Sequence, residues 1–92
     1  MKKSVLAALA AALATAAQAQ PVTIKLGTLA PQGSSWHDLL KEMGQRWEQV
    51  SGGQVKLRIY AGGAQGSEGD MVRKMGIGQL QAAAITNVGM HD

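Results

Sequence analysis

The 92-residue sequence contains no cysteine. This absence excludes disulfide bonds, thiolate metal sites, a cysteine nucleophile and a lipid-modified cysteine behind a signal sequence. The sequence also lacks the motifs H-E-x-x-H, G-x-S-x-G and G-x-x-x-x-G-K-[ST], which mark zinc proteases, serine hydrolases and P-loop nucleotide sites. We therefore expect no catalytic site, no metal site and no cofactor.

The sequence has little net charge once its first residues are set aside. Residues 1–19 contain two of the nine basic side chains and none of the six acidic ones. The formal charge therefore falls from +3 for the whole chain to +1 for residues 20–92, which is seven basic minus six acidic side chains. A nearly neutral chain lacks the basic surface that nucleic-acid-binding proteins need, so no nucleic-acid partner is expected.

Residues 1–19 have the pattern of a secretory signal peptide. Lys2 and Lys3 precede an apolar run of mostly alanine and leucine, and Ala17-Gln18-Ala19 matches the small-x-small cleavage rule. The run is shorter than the roughly 20 apolar residues that cross a bilayer. We expect cleavage of residues 1–19 and a mature periplasmic protein with no lipid anchor and no membrane-embedded segment. A buried or amphipathic helix is the alternative.

The remaining sequence, residues 20–92, alternates between strand and helix patterns. Apolar residues alternate with polar or small ones over residues 23–28 and 55–60, which predicts two strands, and a small-residue run predicts a third over residues 80–86. A βαβαβ order of this kind predicts an α/β fold with parallel strands and right-handed crossovers. Without disulfides or metal, 73 residues would form a marginal domain, so we expect the opening portion of a longer protein.

Two helices are expected between the strands. Residues at helical spacing give the first helix one continuous apolar face, formed by Trp36, Leu39, Leu40, Met43, Trp47 and Val50. This helix begins at Ser34 or Ser35, where Asp38 would complete a capping box, and it turns His37 toward solvent. The second helix begins at Ser67, which also has an acidic residue three positions later.

The parallel sheet predicts where a ligand would bind. In open α/β sheets, ligands bind beyond the carboxyl ends of the strands, where residues 29–35, 61–68 and 86–89 would meet. Two of these loops lead into helix N-termini, whose free amides favour anions. Trp36 would either form a wall of this cleft or pack in the core. Glu68 would either be a surface acid favoured by the helix dipole or contact the ligand.

The glycine-rich loop at residues 61–66 permits a nucleotide-binding interpretation. It lies between a strand and a helix, as the dinucleotide fingerprint does, but Ala61 occupies the position of the first glycine. Thr86 and Asn87 occupy the region where an acidic residue should bind the ribose. A tight strand-to-helix turn accounts for the same glycines. A Rossmann-like exported enzyme fragment is one alternative, and a small secreted α/β domain that binds a partner protein is another.

The derived segments together resemble the periplasmic solute receptors of TRAP transporters, of the DctP type. The resemblance extends from about residue 23 to the last residue. It is carried by seven segments in order: IKLGTLAP at residues 24–31, GSSW at 33–36, SGGQVKL at 51–57, YAGG at 60–63, GSE at 66–68, MVRKM at 71–75 and IGQL at 77–80.

This resemblance implies a two-lobed α/β receptor that closes around a small organic acid and delivers it to a TRAP membrane permease driven by an ion gradient. Residues 20–92 would be an incomplete N-terminal lobe, and the arginine that binds the ligand carboxylate in this family would lie later in the chain. No enzymatic activity is expected.

The resemblance also implies which residues would line the ligand site. With Trp36 added from the topology argument, the predicted site residues are Leu29, Ala30, Trp36, Glu68, Thr86, Asn87, Val88 and Gly89. Gln81 stands where the family commonly has an aspartate, and Thr86 and Gly89 replace polar or charged contacts of some acid-sugar receptors. These departures argue against a sialic-acid-like ligand and leave the substrate open.

Overall fold

A computed structural model describes residues 20–91, which form a three-stranded sheet with two α-helices. The predicted signal peptide at residues 1–19 lies outside the described residues. The elements in chain order are β1 (Val22–Thr28), α1 (Ser35–Val50), β2 (Val55–Tyr60), α2 (Glu68–Gly76) and β3 (Ala82–Ala84), followed by a short 3-10 turn at Gly89–His91.

The three strands are parallel and lie in the order β2-β1-β3. The pairing of β1 with β2 runs from Val22↔Val55 to Gly27↔Tyr60. The pairing of β1 with β3 covers only three residue pairs, ending at Thr28↔Ala84. The predicted parallel βαβαβ arrangement is thus confirmed, and the carboxyl ends of all three strands share one edge of the sheet.

The strand β3 is shorter than the predicted strand over residues 80–86. The two end residues of the predicted strand form hydrogen bonds with other partners. The backbone N–H of Leu80 donates to the carbonyl of Lys74 at the end of α2, at 3.2 Å. The backbone N–H of Thr86 donates to the Glu68 carboxylate at 2.8 Å. Both N–H groups are therefore unavailable for pairing with β1.

The two helices pack on opposite faces of the sheet. Gly44 of α1 lies so close to β2 that a Cβ atom there would be 2.9 Å from Leu57 Cβ. On β1, a Cβ atom at Gly27 would be 2.8 Å from the Sδ of Met71 in α2. Leu57 pairs with Ile24 across the strands, so their side chains lie on the same face of the sheet. Gly27 lies three residues after Ile24, so its position belongs to the other face. Right-handed crossovers produce this arrangement when the chain moves from β1 to β2 and back past β1 to β3.

The buried face of α1 differs from the predicted one. Leu39 is 63% exposed and Val50 is 80% exposed, while the buried residues of α1 are His37, Leu40 and Gly44. The prediction that His37 faces solvent is therefore wrong. Two features explain the shift. Gly44 lets the helix backbone approach β2 closely, and the Nδ1 atom of His37 accepts a hydrogen bond from the backbone N–H of Gly33 at 3.0 Å.

The two helix starts are capped by serine in different ways. Ser34 is the N-cap of α1, so the predicted capping box between Ser35 and Asp38 does not form. At α2 the capping box is present: the Ser67 hydroxyl accepts from the Asp70 backbone N–H at 3.2 Å, and the Asp70 carboxylate accepts from the Ser67 N–H at 2.9 Å. Within residues 20–91, no helix is long and apolar enough to cross a membrane.

Candidate functional site

Three loops meet at the edge of the sheet where the strands end. We call them the first rim loop (residues 29–34), the second rim loop (residues 61–67) and the third rim loop (residues 85–88). The first two are joined directly, because the N–H groups of Gly62 and Gly63 donate to the carbonyls of Ala30 and Thr28 at 2.8 Å and 3.0 Å. The predicted convergence of loops on one edge is therefore present in the structure.

A cavity of about 780 Å³ opens at this edge. It receives side chains from all three rim loops and from the first two turns of α2. The residues that line it are Leu29, Ser67, Glu68, Gly69, Arg73, Thr86 and Val88. Its volume lies within the range of about 300–1,000 Å³ typical of small-molecule sites. Apolar walls at Leu29 and Val88 with a few polar groups between them are the usual composition of such a site.

Glu68 connects the start of α2 to the third rim loop. Its side chain is buried, with 7% of the residue exposed. Oε1 accepts the backbone N–H of Thr86, and Oε2 accepts both the Thr86 hydroxyl and the backbone N–H of Gly89, each at 2.8 Å. These bonds span 18 and 21 residues of sequence, so one carboxylate holds together two separate parts of the cavity wall.

The same hydrogen bonds keep Glu68 ionised. The backbone N–H of Thr86 and, next, the Thr86 hydroxyl lower the pKa of Glu68 below its ordinary value of 4.5. Burial acts in the opposite direction and is outweighed, with a further contribution from the N–H of Gly89. Donors to a carboxylate stabilise its charged form. The cavity therefore contains a fixed negative charge at neutral pH.

The hydrogen bonds leave part of the Glu68 acceptor capacity unused. A carboxylate offers about four lone-pair positions. Oε2 accepts two bonds from the protein, whereas Oε1 accepts one. Oε1 is thus the Glu68 oxygen that keeps a lone-pair position beyond its bond to the third rim loop.

Arg73 brings a positive charge to the same cavity. Its guanidinium pairs with the Asp70 carboxylate one turn earlier on α2, and its side chain is 72% exposed. Gly69 lies four residues before Arg73, so the two positions share the side of the helix that lines the cavity. The predicted site residues did not include Ser67, Gly69 and Arg73, although the i,i+4 spacing of Gly69 and Arg73 on the predicted second helix was a signal that could have found those two.

The structure brings four of the eight predicted site residues to the cavity wall, namely Leu29, Glu68, Thr86 and Val88. Two others are buried behind it. Ala30 is fully buried and joins the first two rim loops, and Gly89 donates to Glu68. Asn87 and Trp36 are exposed and do not line the cavity, and Trp36 is 37% exposed rather than packed in the core. Contact of these eight residues with a ligand stays a prediction.

Comparisons with known proteins identify the family of the chain. The family of bacterial extracellular solute-binding proteins, family 7 (DctP), matches residues 26–91. A solute-binding protein of Roseobacter denitrificans is 30% identical over 71 residues, which cover 77% of this chain and 22% of that protein.

Two solved structures share both the fold and part of the sequence. A TRAP periplasmic solute-binding protein from Pseudomonas putida F1 with bound D-glucuronate has a TM-score of 0.61 and 30% identity, and the match covers 64% of this chain and 19% of that chain. A TRAP periplasmic solute-binding protein from Bradyrhizobium in complex with galacturonate has a TM-score of 0.61 and 27% identity, covering 64% and 20%.

The fold and these matches place the chain among extracellular solute-binding proteins. The chain belongs to the bacterial extracellular solute-binding proteins of family 7, the DctP family. The resemblance seen in the sequence is thus confirmed. The chain spans about a fifth of the length of the relatives it matches.

Proposed function

We propose that the protein is a periplasmic receptor that captures a small sugar acid and delivers it to a TRAP membrane permease. In this proposal the signal peptide at residues 1–19 directs export, and the described unit forms part of the first of two lobes that close around the ligand. The family membership and the uronates bound by two relatives support a receptor over an exported enzyme or a protein-binding domain.

The observation that carries the proposal is the buried, ionised carboxylate of Glu68 in the cavity wall. Its charge repels the carboxylate of an acidic ligand, whereas Oε1 accepts a hydroxyl. A sugar acid offers both groups on one molecule. Its hydroxylated end therefore faces Glu68, and its carboxylate points away from Glu68 toward a cation.

Arg73 is the cationic group that this unit places in the cavity. Its guanidinium also pairs with the carboxylate of Asp70, which itself does not line the cavity. The resemblance to TRAP receptors implies a second arginine, from the other lobe, as the main partner of the ligand carboxylate. Because Arg73 is largely exposed, it attracts an anion into the open cleft more than it fixes one there.

The described unit forms one wall of such a site. Small-molecule sites bury about 70–90% of the ligand surface, and a single wall open to solvent buries much less. We therefore expect the 92-residue chain alone to bind sugar acids weakly, and the protein at its full natural length to bind them tightly.

Calorimetric titration of the full-length protein tests the proposal. The ligand panel contains D-glucuronate, D-galacturonate, dicarboxylates, keto acids and neutral D-glucose, which lacks the carboxylate of glucuronate. We expect micromolar or tighter binding of a uronate and no detectable binding of glucose. Failure of every acid in the panel would overturn the proposed function.

A matched pair of glutamine variants locates the site. Glu68→Gln removes the cavity carboxylate, and Glu42→Gln makes the same change on the exposed surface of α1. We expect Glu68→Gln to weaken uronate binding at least about tenfold, since a charged hydrogen-bond acceptor is lost, and Glu42→Gln to leave it unchanged. Equal affinities of the two variants would show that the ligand binds elsewhere.

A further inference from the structure

Thr28 lies at the carboxyl end of the central strand and is completely buried, with 0% exposure. Its hydroxyl donates to the carbonyl of Ala84 at the end of β3, at 2.9 Å. The same oxygen accepts the backbone N–H of Ala30 in the first rim loop, at 3.2 Å. One hydroxyl therefore connects the end of β3 with the first rim loop.

The backbone of Thr28 makes the connection to the second rim loop. Its carbonyl accepts the N–H of Gly63 at 3.0 Å, and the neighbouring carbonyl of Ala30 accepts the N–H of Gly62 at 2.8 Å. Thr28 is thus in hydrogen-bond contact with the first and second rim loops and with the strand that leads into the third.

We propose that Thr28 is a positioning residue for the ligand site and that its hydroxyl sets the spacing between the rim loops. The proposal rests on the proposed function, since it concerns the same cavity. Ala30 directly follows Leu29, whose side chain lines the cavity. Ala84 lies two residues before Thr86, which donates to Glu68. The hydroxyl therefore fixes the distance between the apolar wall at Leu29 and the polar wall at Glu68.

The chemistry of the position requires a hydroxyl. A serine or threonine hydroxyl donates one hydrogen bond and accepts others, and both functions are used here. Valine has the same shape but can do neither, which would leave the carbonyl of Ala84 and the N–H of Ala30 without this partner. Those two groups would then move to find other partners, and the loops that carry them would move with them.

A role limited to stability makes a different prediction. A variant that is less stable but still almost fully folded binds its ligand with unchanged affinity, because the fraction of molecules that are folded and able to bind stays near one. A positioning role instead changes the dissociation constant of the folded protein. Affinity measured well below the melting temperature of each variant therefore separates the two roles.

The experiment compares three variants of the full-length protein by calorimetry with D-glucuronate and D-galacturonate. Thr28→Val removes the hydroxyl, Thr28→Ser keeps it, and Thr23→Val makes the same change at an exposed site of β1. We expect Thr28→Val to weaken binding roughly tenfold or more, Thr28→Ser to stay within about threefold of the original, and Thr23→Val to have no effect. A folded Thr28→Val variant with unchanged affinity, or a serine variant as weak as the valine one, would overturn the proposal.

Amide hydrogen exchange distinguishes this proposal from the proposed function. If the unaltered protein binds no acid, the proposed function fails, and exchange in the unliganded protein then decides the role of Thr28. We expect Thr28→Val to accelerate exchange of the Ala30, Gly63 and Thr86 amides at least about tenfold over the Thr23→Val control. Unchanged exchange at these amides would overturn the positioning role.

A measurement on the unaltered protein covers the case in which Thr28→Val does not fold. The amides of Ala30 and Gly63 should then exchange slowly and at similar rates, because both are held at Thr28. The amide of Gly66, which bonds only to nearby Gly63, should exchange faster. Exchange of Ala30 as fast as that of Gly66 would contradict the proposal.

Discussion

The two sides of the central strand β1 are held together in different ways: the first half is α1 with β2, and the second half is α2 with β3. The first half has a 16-residue helix, and β2 forms six backbone pairs with β1. The second half has a nine-residue helix, and β3 forms three pairs with β1. Side-chain hydrogen bonds supplement that smaller framework, from Thr28 to Ala84 and from Glu68 to Thr86 and Gly89.

The difference extends to the way each helix approaches the sheet. In the first half the helix carries the glycine and the strand carries the large side chain, as Gly44 lies against Leu57. In the second half the helix carries the large side chain, and Met71 lies over Gly27 of the central strand β1. The first half is thus a packed support, whereas polar contacts within the second half shape the cavity. We expect substitutions in the first half to change stability and those in the second to change ligand binding.

The largest effect is expected at Glu68. In Glu68→Gln the amide NH2 group must face either the N–H of Thr86 or that of Gly89, because the carboxylate accepts a backbone donor on each oxygen. The third rim loop should detach, and its amides should exchange at least about tenfold faster while those of β2 are unchanged. Equal acceleration in both halves would contradict the division between them.

The Glu68 contact should also depend on pH, with a defined sign. The native pKa of Glu68 lies below its value in the unfolded chain, so the native state binds fewer protons. The stabilisation of the third rim loop is complete above the ordinary pKa of 4.5 and is lost as the pH falls through the lowered native pKa. Exchange rates of the third-loop amides in the unaltered protein and in Glu68→Gln should therefore converge in acid, after correction for intrinsic exchange. A difference that persists at the lowest pH would rule out this explanation.

A smaller effect, confined to stability, is expected at Gly44. The Cβ of Gly44→Ala would meet the Cβ of Leu57, which cannot move away by rotation. Overpacking outweighs the better helix propensity of alanine, so we expect a loss of about 1–2 kcal/mol in the free energy of unfolding and unchanged uronate affinity. Gly76→Ala in α2 is the control, because no atom lies within 4 Å of its new Cβ, and it should not destabilise the protein. A loss of ligand affinity in Gly44→Ala would mean that the support also shapes the cavity.

The smallest effect is expected at His37. His37→Ala removes the acceptor of the Gly33 N–H, a contact that spans four residues and stays within the first rim loop and the start of α1. We expect a stability loss of about 1 kcal/mol and a change in uronate affinity below about threefold. Glu68→Ala should weaken binding more than His37→Ala does. Equal losses in titrations of the two variants would show that the first rim loop controls the cleft as strongly as Glu68.

The elements of this fold were largely predictable from local pattern. Alternation predicted β1 and β2, and the pairing of Ser67 with Asp70 predicted the start of α2. The orientation of α1 was not predictable in the same way. The spacing of apolar residues places His37 on the solvent side of α1. This pattern reveals neither the close approach of Gly44 to β2 nor the need of the Gly33 N–H for an acceptor.

The candidate site was predictable in position but less so in composition. Parallel strands fix the edge at which the loops meet, and Glu68 follows a capping serine at that edge. Thr86 donates two hydrogen bonds to Glu68, which lies 18 residues away in the sequence. Thr28 donates one to Ala84, which lies 56 residues away. Contacts of that range arise only when the strands pair, so no local pattern in the sequence contains them.

The role of Glu68 in the ligand site is tested most directly by a crystal structure of the full-length protein with a bound uronate. We expect a ligand hydroxyl within about 3.2 Å of Glu68 Oε1, with the hydrogen bonds from Thr86 and Gly89 to Glu68 retained. A ligand bound away from the three rim loops, or one whose carboxylate contacts Glu68, would contradict this role.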